Sequence, residues 1–295
     1  MHEPVDELPP AETLGSADAL LSVDLASCAG HLCDPAGLPL SLVVTTLDNA
    51  ATLARCLDSL PPLQDAIVLD SGSSDASVEI ARARGARVQS RPFRGYGPQK
   101  TAAIELARCD WVLLLDADEW LSAEAAAALR ELFVQGVPGH VRGYTLARRE
   151  WLFWQFQHRW TRMNRYLRLF RRDAMRMSDA AVHAAPRVDG PVGRLPGHLM
   201  HDGERDIGTK VAKVNAYAAG TAEDRIRRGV HATRLRMIAY PPLFFLRNYL
   251  FKRQFLNGWA GFIASVIGAF YVFLKYARVY EARRAARGGR PRPEA

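Results

Sequence analysis

The chain has 295 residues, 48% of them apolar, which suits one large folded domain with or without appendages. Its net charge of +8 is unevenly spread: seven of the 31 acids fall in residues 1–39, which hold none of the 39 Lys and Arg, so the rest is strongly basic and suited to nucleic acid, anionic lipid or phosphorylated substrates. Four cysteines in a chain this long argue against a disulfide framework, and Met1 to Pro39 lacks the basic start and compact apolar core of a signal peptide, so a reducing, cytoplasmic setting is expected.

Residues 1–39 read as an acidic, mobile tail. Cys28, His31 and Cys33 are close enough for a metal knuckle, but no second ligand pair follows them. From Leu40, short β-rich runs alternate with helical segments. The pattern predicts strands over 41–46, 66–70, 86–90 and 111–115. It predicts helices over 51–60, from a cap at Ser74 or Asp75 to Gly85, over 98–108 behind Pro98, and over 123–136. Such alternation implies right-handed crossovers and a Rossmann-like α/β fold, with a mainly parallel central sheet and helices on both faces.

Beyond this region the chain is rich in Arg and Trp, and residues 144–160 and 166–172 predict antiparallel strands and loops laid over the sheet. The domain is expected to end near residue 239. A helical membrane-association segment follows over 240–281, then a basic tail over 282–295. Gly258 to Leu274 carries no charge over about five helical turns. It is a little short for a bilayer crossing and is interrupted by glycines, so it reads as an interfacial or re-entrant helix, with a true crossing or a buried soluble hairpin as the other readings. Flanking cations from Lys275 to Arg292 suit an anionic cytoplasmic leaflet. Basic residues mixed with long apolar runs, with no recognition helix or exposed aromatic platform, do not suit a nucleic-acid partner.

Ligands on parallel sheets bind at the carboxyl ends of the strands. Three polar clusters fall there: Thr45 to Asn49, Asp70 to Asp75, and Asp116 to Glu119. Asp116 and Asp118 are two apart, so an extended backbone projects both carboxylates to one side, where a divalent cation such as Mg²⁺ or Mn²⁺ relieves their repulsion and could also take a diphosphate. In "DSGSSD" Gly72 permits a tight turn at a helix start, and Asp70 leaves its strand where it could accept a hydrogen bond from a base or ribose.

The string "LDNAATLARCLDSL…AIVLDSGSSDASVEIARARGARV…RGYGPQKTAAIELARCDWVLLLDADEWLS" resembles the nucleotide-sugar-dependent glycosyltransferases of family 2, which have the GT-A fold. "LRLFRR", "SDAAVH", "GPVGRL" and "NGWAGFIASVIGAFYVFLKYARVYE" look like the branch containing the lipopolysaccharide core β-1,4-glucosyltransferases. The resemblance implies that Asp70, with Thr46 and Asp48, meets the nucleobase; that Gln99 and Lys100 reach toward ribose or phosphates; and that Asp116 and Asp118 hold a metal-diphosphate. A later His, His183 or His201, would complete the metal site, and Arg168, Arg171 and Arg172 could grip diphosphate or an anionic acceptor. Such enzymes invert the anomeric centre, with a carboxylate taking the acceptor proton.

The sequence departs from that pattern at Leu47, Asp48 and Asn49, where Lys-Asn-Glu is usual, and at Asn164 and Ala184, where carboxylates are usual. The base therefore falls to Asp179, Asp202, Glu204 or Glu119. The expected function is transfer of a sugar, glucose by the resemblance, from a UDP-sugar to a lipid-linked saccharide such as the lipopolysaccharide inner core. The expected place is the cytoplasmic face of the bacterial inner membrane, with the protein peripheral or re-entrant. The rival readings are a catalytically impaired relative that only binds nucleotide or membrane, and a phosphatase with Asp116 as nucleophile.

Overall fold

The computed structural model describes residues 32–178, 185–227 and 234–287. The first strand, β1 (Cys33–Thr46), leads to α1 (Ala50–Asp58), β2 (Leu63–Asp70), α2 (Ser77–Ala83), β3 (Arg87–Ser90), α3 (Tyr96–Glu105) and β4 (Trp111–Asp116). β1 starts earlier than the sequence suggested: Cys33 is buried against β2, and the register slips between Cys33 and Ser41. Cys28 and His31 lie outside the described residues.

β1 shows why these runs are strands. Leu40, Leu42 and Val44 turn to one face, against Leu53, Cys56 and Leu57 of α1; Val43 turns to the other, with Ile67, Val112, Leu114 and the α3 residues Ala103 and Ile104. Alternate side chains thus feed two cores, the mark of a strand covered on both faces, and each fully buried aliphatic side chain contributes about 1.5–3 kcal/mol. At the opposite end of the sheet from the polar clusters, buried Asp65 accepts from Ser41 Oγ (2.7 Å), Arg87 Nη2 (2.8 Å) and the Arg108 backbone N–H (3.0 Å), tying three segments together.

The chain continues through β5 (Glu119–Leu121), α4 (Ala123–Val134), β6 (Gly143–Leu152), β7 (Gln155–Phe156), β8 (Arg165–Arg171), β9 (Met175–Met177), β10 (Pro186–Val188) and β11 (Val192–Glu204). The main sheet runs β3-β2-β1-β4-β8-β6-β11-β5, with β7 on β6. β3, β2, β1 and β4 are parallel, β8 is antiparallel to β4, and β6 is antiparallel to β8 but parallel to β11. The Arg- and Trp-rich stretch therefore extends the sheet edgewise rather than lying over it, because β8 pairs directly with the free edge of β4.

Three helices close the molecule: α5 (Ile207–Arg227), α6 (Arg234–Leu246) and α7 (Gly258–Arg287). α6 contains Pro241 and Pro242 and runs into a π turn over Arg247–Phe251; Arg253, in the left-handed region (φ 57°), reverses the chain into α7. α7 packs on α5 and α6, and its Ala260, Ala264 and Ile267 cover Leu152 and Phe153 at the end of β6. Within Gln254–Ala285, an 18-residue window has a mean hydropathy of 1.6, so by length and composition this helix could cross a membrane.

Candidate active site

The carboxyl ends of β1, β2 and β4 open into a cleft of about 1040 Å³, closed on its far side by β6, β11, α5 and the α6–α7 hairpin. That volume lies at the upper end for small-molecule sites and leaves room for two substrates.

Asp116 ends β4 on the cleft floor. Its Oδ1 lies 2.5 Å from Lys100 Nζ, and its Oδ2 accepts from Arg168 Nη2 at 2.9 Å. Burial alone would raise the Asp116 pKa, but Arg168 and Lys100 outweigh it and hold the carboxyl far below its usual range. Asp118 faces the cleft two residues on and meets His201 Nε2 at 3.4 Å. His201 sits on β11 directly beside Glu150 of β6, whose Oε2 lies 2.5 Å from His201 Nδ1, while Glu150 Oε1 accepts from Arg148 Nε at 2.7 Å. Burial depresses the His201 pKa, but the two carboxylates reverse this and push it up to about 10. Burial likewise opposes ionisation of Glu150, and His201 with Arg148 overcomes it and lowers that pKa.

Three cationic side chains, Lys100, Arg168 and His201, thus stand against the acidic pair. The donor set of two carboxylates and one imidazole fits a hard or borderline divalent cation, with a hydrogen-bonded carboxylate behind the imidazole to fix its ring. Among the described residues no cluster of three such side chains is already drawn together around one point. Binding a cation here requires His201 to give up a proton and the two basic side chains to yield oxygens of Asp116.

Several expected residues take other places. Glu119 is fully buried beneath the floor; its Oε2 accepts from the Asp116 backbone N–H (3.1 Å) and its Oε1 from Arg168 (2.6 Å) and Arg148 (3.3 Å). It has no exposure, and both of its oxygens are engaged. Arg168 does line the cleft. Arg171 does not: β8 runs antiparallel to β4, so Arg171 pairs with Trp111 at the far end of the sheet and bonds Asp173 at 2.9–3.0 Å. Arg172 is at that end too, donating to the Ala107 carbonyl. Asp202 pairs with Arg205 at 3.2 Å and is not part of the cleft lining. Asp179 and His183 lie outside the described residues.

On the β1–β2 side, Thr46, Gln99 and Lys100 line the cleft as expected. Asp70 is buried and closes its own turn, accepting from the Gly72 and Ser73 backbone N–H groups (3.0 and 3.1 Å) and from Ser73 Oγ (2.5 Å). Asp48, at φ 52°, holds the same loop by accepting from the Ser74 backbone N–H at 2.7 Å. These carboxylates shape the loop, while Asn49, Ser71 and Gln99 face the cleft. Gln99 donates to Ser71 Oγ and the Arg91 carbonyl, which leaves its buried Oε1 without a partner and available as an acceptor.

The sequence reading missed Arg148, Glu150, Lys213 and Tyr217. Arg148, Glu150 and Leu152 alternate along β6 and all line the cleft, a period of two that was present in "ARREWL". Lys213 and Tyr217 lie one turn apart on α5; Lys213 Nζ donates to the Gly203 carbonyl at 2.8 Å, two residues past His201. Burial, with Tyr96 and Asp118 nearby, raises the Tyr217 pKa.

The fold and the site together place an acidic pair, an imidazole and a cationic rim at the strand ends of an α/β sheet, an arrangement suited to binding an anionic ligand. The model of "Glycosyl transferase family 2" matches residues 41–187, from β1 through β10. The lipopolysaccharide core biosynthesis glycosyltransferase LpsC of Rhizobium meliloti is 31% identical over 254 residues, covering 83% of this chain and 93% of the relative. An uncharacterized glycosyltransferase of Rickettsia typhi is 29% identical, covering 82% and 87%. Among solved structures, the mannosyltransferase PcManGT of Pyrobaculum calidifontis, in complex with GDP-Man and Mn²⁺, aligns over 89% of this chain and 91% of its own, at 13% identity and a TM-score of 0.48. The chain belongs to glycosyl transferase family 2. The family model ends before β11, so His201 and helices α5 to α7 lie beyond it.

Proposed function

We propose that the protein is an inverting, divalent-cation-dependent transferase that moves a sugar from a UDP-sugar to a lipid-linked saccharide such as the lipopolysaccharide inner core, at the cytoplasmic membrane surface. The observation that carries the reading is the Asp116, Asp118 and His201 constellation on the floor of a cleft with room for two substrates. The resemblance in sequence and the likeness to LpsC support a core-saccharide acceptor.

In this reading the nucleoside lies along Thr46, Ser71 and Gln99, where the orphaned Gln99 Oε1 accepts a hydrogen bond from base or ribose. Asp116, Asp118 and His201 would hold the cation, which when bound neutralises the diphosphate and makes it a better leaving group. Lys100 and Arg168, released from Asp116, turn to the diphosphate oxygens and stabilise charge as the glycosidic bond breaks. The acceptor enters from the α5 side. Of the four carboxylates expected as base, Glu119 is sealed and Asp202 is turned to Arg205, which leaves Asp179 and Glu204; Asp179 is the one taken here to accept the acceptor proton.

The test is transfer by the purified full chain from a panel of UDP- and GDP-sugars to truncated core saccharides, with Mn²⁺ or Mg²⁺. UDP-glucose is expected to be turned over, and Asp118→Asn and Asp179→Asn each to lower the rate at least about 100-fold. Failure to turn over any sugar nucleotide, or unchanged turnover in Asp118→Asn, would contradict the reading.

A further inference from the structure

The outward face of the α6–α7 hairpin is unlike the rest of the surface. Trp259, Phe262, Val266, Phe270 and Phe273 succeed one another at helical spacing along α7 and all are exposed, Trp259 by 74%. The stripe is about 21 Å long at 1.5 Å per residue. Leu243, Leu246, Leu250 and Phe251 continue it on α6 and the π turn. An aromatic face of this extent is the kind of surface that meets an apolar partner.

The inward faces of the same helices are committed to the protein. Ala260, Ala264 and Ile267 pack on Leu152 and Phe153. Just before α7, buried Asn257 accepts from the His158 backbone N–H at 2.6 Å, receives Gln155 Nε2 on its carbonyl at 2.9 Å and donates to Thr161 Oγ1 at 3.1 Å. Phe244, Asn248, Gln254, Ala264 and Gly268 form a wall of the cleft. One helix pair therefore separates the cleft from the apolar face.

The charge around that face has one sign. No Asp or Glu occurs from Arg225 to Tyr280. Arg247 and Arg253 are exposed where the hairpin turns; Lys252, Lys275 and Arg278 flank the stripe in sequence and are half-buried, Lys252 donating to Asn164 Oδ1 and Arg278 to Asn215 Oδ1.

We propose that this face rests on an anionic lipid bilayer, with α7 in the membrane plane rather than across it, and the cleft on the other side of the helix pair. A crossing α7 would draw into the lipid the end of β6 and the polar 155–161 loop that pack against its inward side, whereas an in-plane α7 leaves them outside and presents only its exposed stripe. A second copy of the chain would bring like charges together around the stripe, whereas anionic headgroups match them, each nearby Lys or Arg adding to the attraction.

The test uses the full chain with vesicles of phosphatidylcholine alone or mixed with phosphatidylglycerol. The protein is expected to float with the mixed vesicles and to be quenched by brominated lipid, with the quenching removed by Trp259→Phe. The triple change Trp259→Ser, Val266→Ser and Phe270→Ser alters only exposed positions outside the cleft wall. It is expected to lower partitioning by at least about ten-fold, equivalent to 1.4 kcal/mol, while sugar-nucleotide turnover with a soluble acceptor persists. Wild-type protein that stays with neither vesicle, a triple variant that floats as well as wild type, or a wild-type dimer that the triple change dissociates would overturn the proposal. Flotation without turnover of any sugar nucleotide would keep the membrane contact and remove the proposed function; turnover without flotation would do the reverse.

Discussion

At the residue scale the floor of the cleft is a set of interlocked charges. Glu119 has no exposure and Arg168 has 5%, and their 2.6 Å contact sits beneath Asp116. Breaking one side of a buried pair leaves an uncompensated charge, so Glu119→Gln is expected to lose about 3 kcal/mol of stability in urea unfolding, against about 0.5 kcal/mol or less for the exposed Glu105→Gln. Equal midpoints for the two variants would show that Glu119 does not hold the floor. His201 offers a second test. Its folded pKa, about 10, stands above the ordinary histidine value. A raised pKa contributes stability that is fully present below the unfolded value near 6.5 and is lost as pH rises through about 10. In chelator, the melting temperature is therefore expected to fall between about pH 7 and 10.5 more steeply for wild type than for His201→Gln; parallel curves would contradict the assignment. Asp116 and Asp118 were legible because a strand end and a spacing of two are local features. The partner of Asp118 was harder to find, because Glu150 and His201 are 51 positions apart and meet only through the β6–β11 register.

At the element scale the alternation of strands and helices was legible from β1 to α4, where each run carries its own period and stop signal. Two features escaped. The first turn of the chain into β1 looked like leader because Asp34, Pro35 and Gly37 are poor strand formers, yet Cys33 is held in the sheet by pairing with Leu63. The order β4-β8-β6-β11 escaped because strand neighbours far apart in sequence leave no local trace. β11 owes its bend to Gly197, at φ 77°, where a Cβ would come within 2.3 Å of the Ala125 backbone nitrogen. The bend lets Ser122, the cap of α4, exchange hydrogen bonds with His198 at 2.9 and 3.0 Å. Gly197→Ala is thus expected to cost about 3 kcal/mol in denaturant unfolding and to lower the apparent affinity of the site, since His201 lies four residues on along the same strand. A variant of wild-type stability would mean that the bend relaxes freely.

At the scale of the whole molecule, charge and hydropathy are partitioned between two sides of one cleft. The parallel half of the sheet supplies the nucleotide side, with Thr46, Ser71, Gln99 and Lys100; α5 and the α6–α7 hairpin supply the other, with Lys213, Tyr217, Phe244 and Asn248. The sequence signalled both halves separately, through polar strand ends and through a charge-free aromatic run, but not that the second forms a wall of the first. That juxtaposition depends on Asn257 and Arg253 turning the chain, and neither position stands out by composition. In the proposed function Asp116, Asp118 and His201 hold a cation through which the nucleotide diphosphate binds. Calorimetric titration of UDP into the full chain, with Mn²⁺ and then with excess chelator, tests it most directly. Binding is expected only with Mn²⁺, and Asp118→Asn is expected to abolish it while the variant still melts in one cooperative transition; UDP binding of equal strength in chelator, or in Asp118→Asn with Mn²⁺, would show that no cation at this site carries the diphosphate.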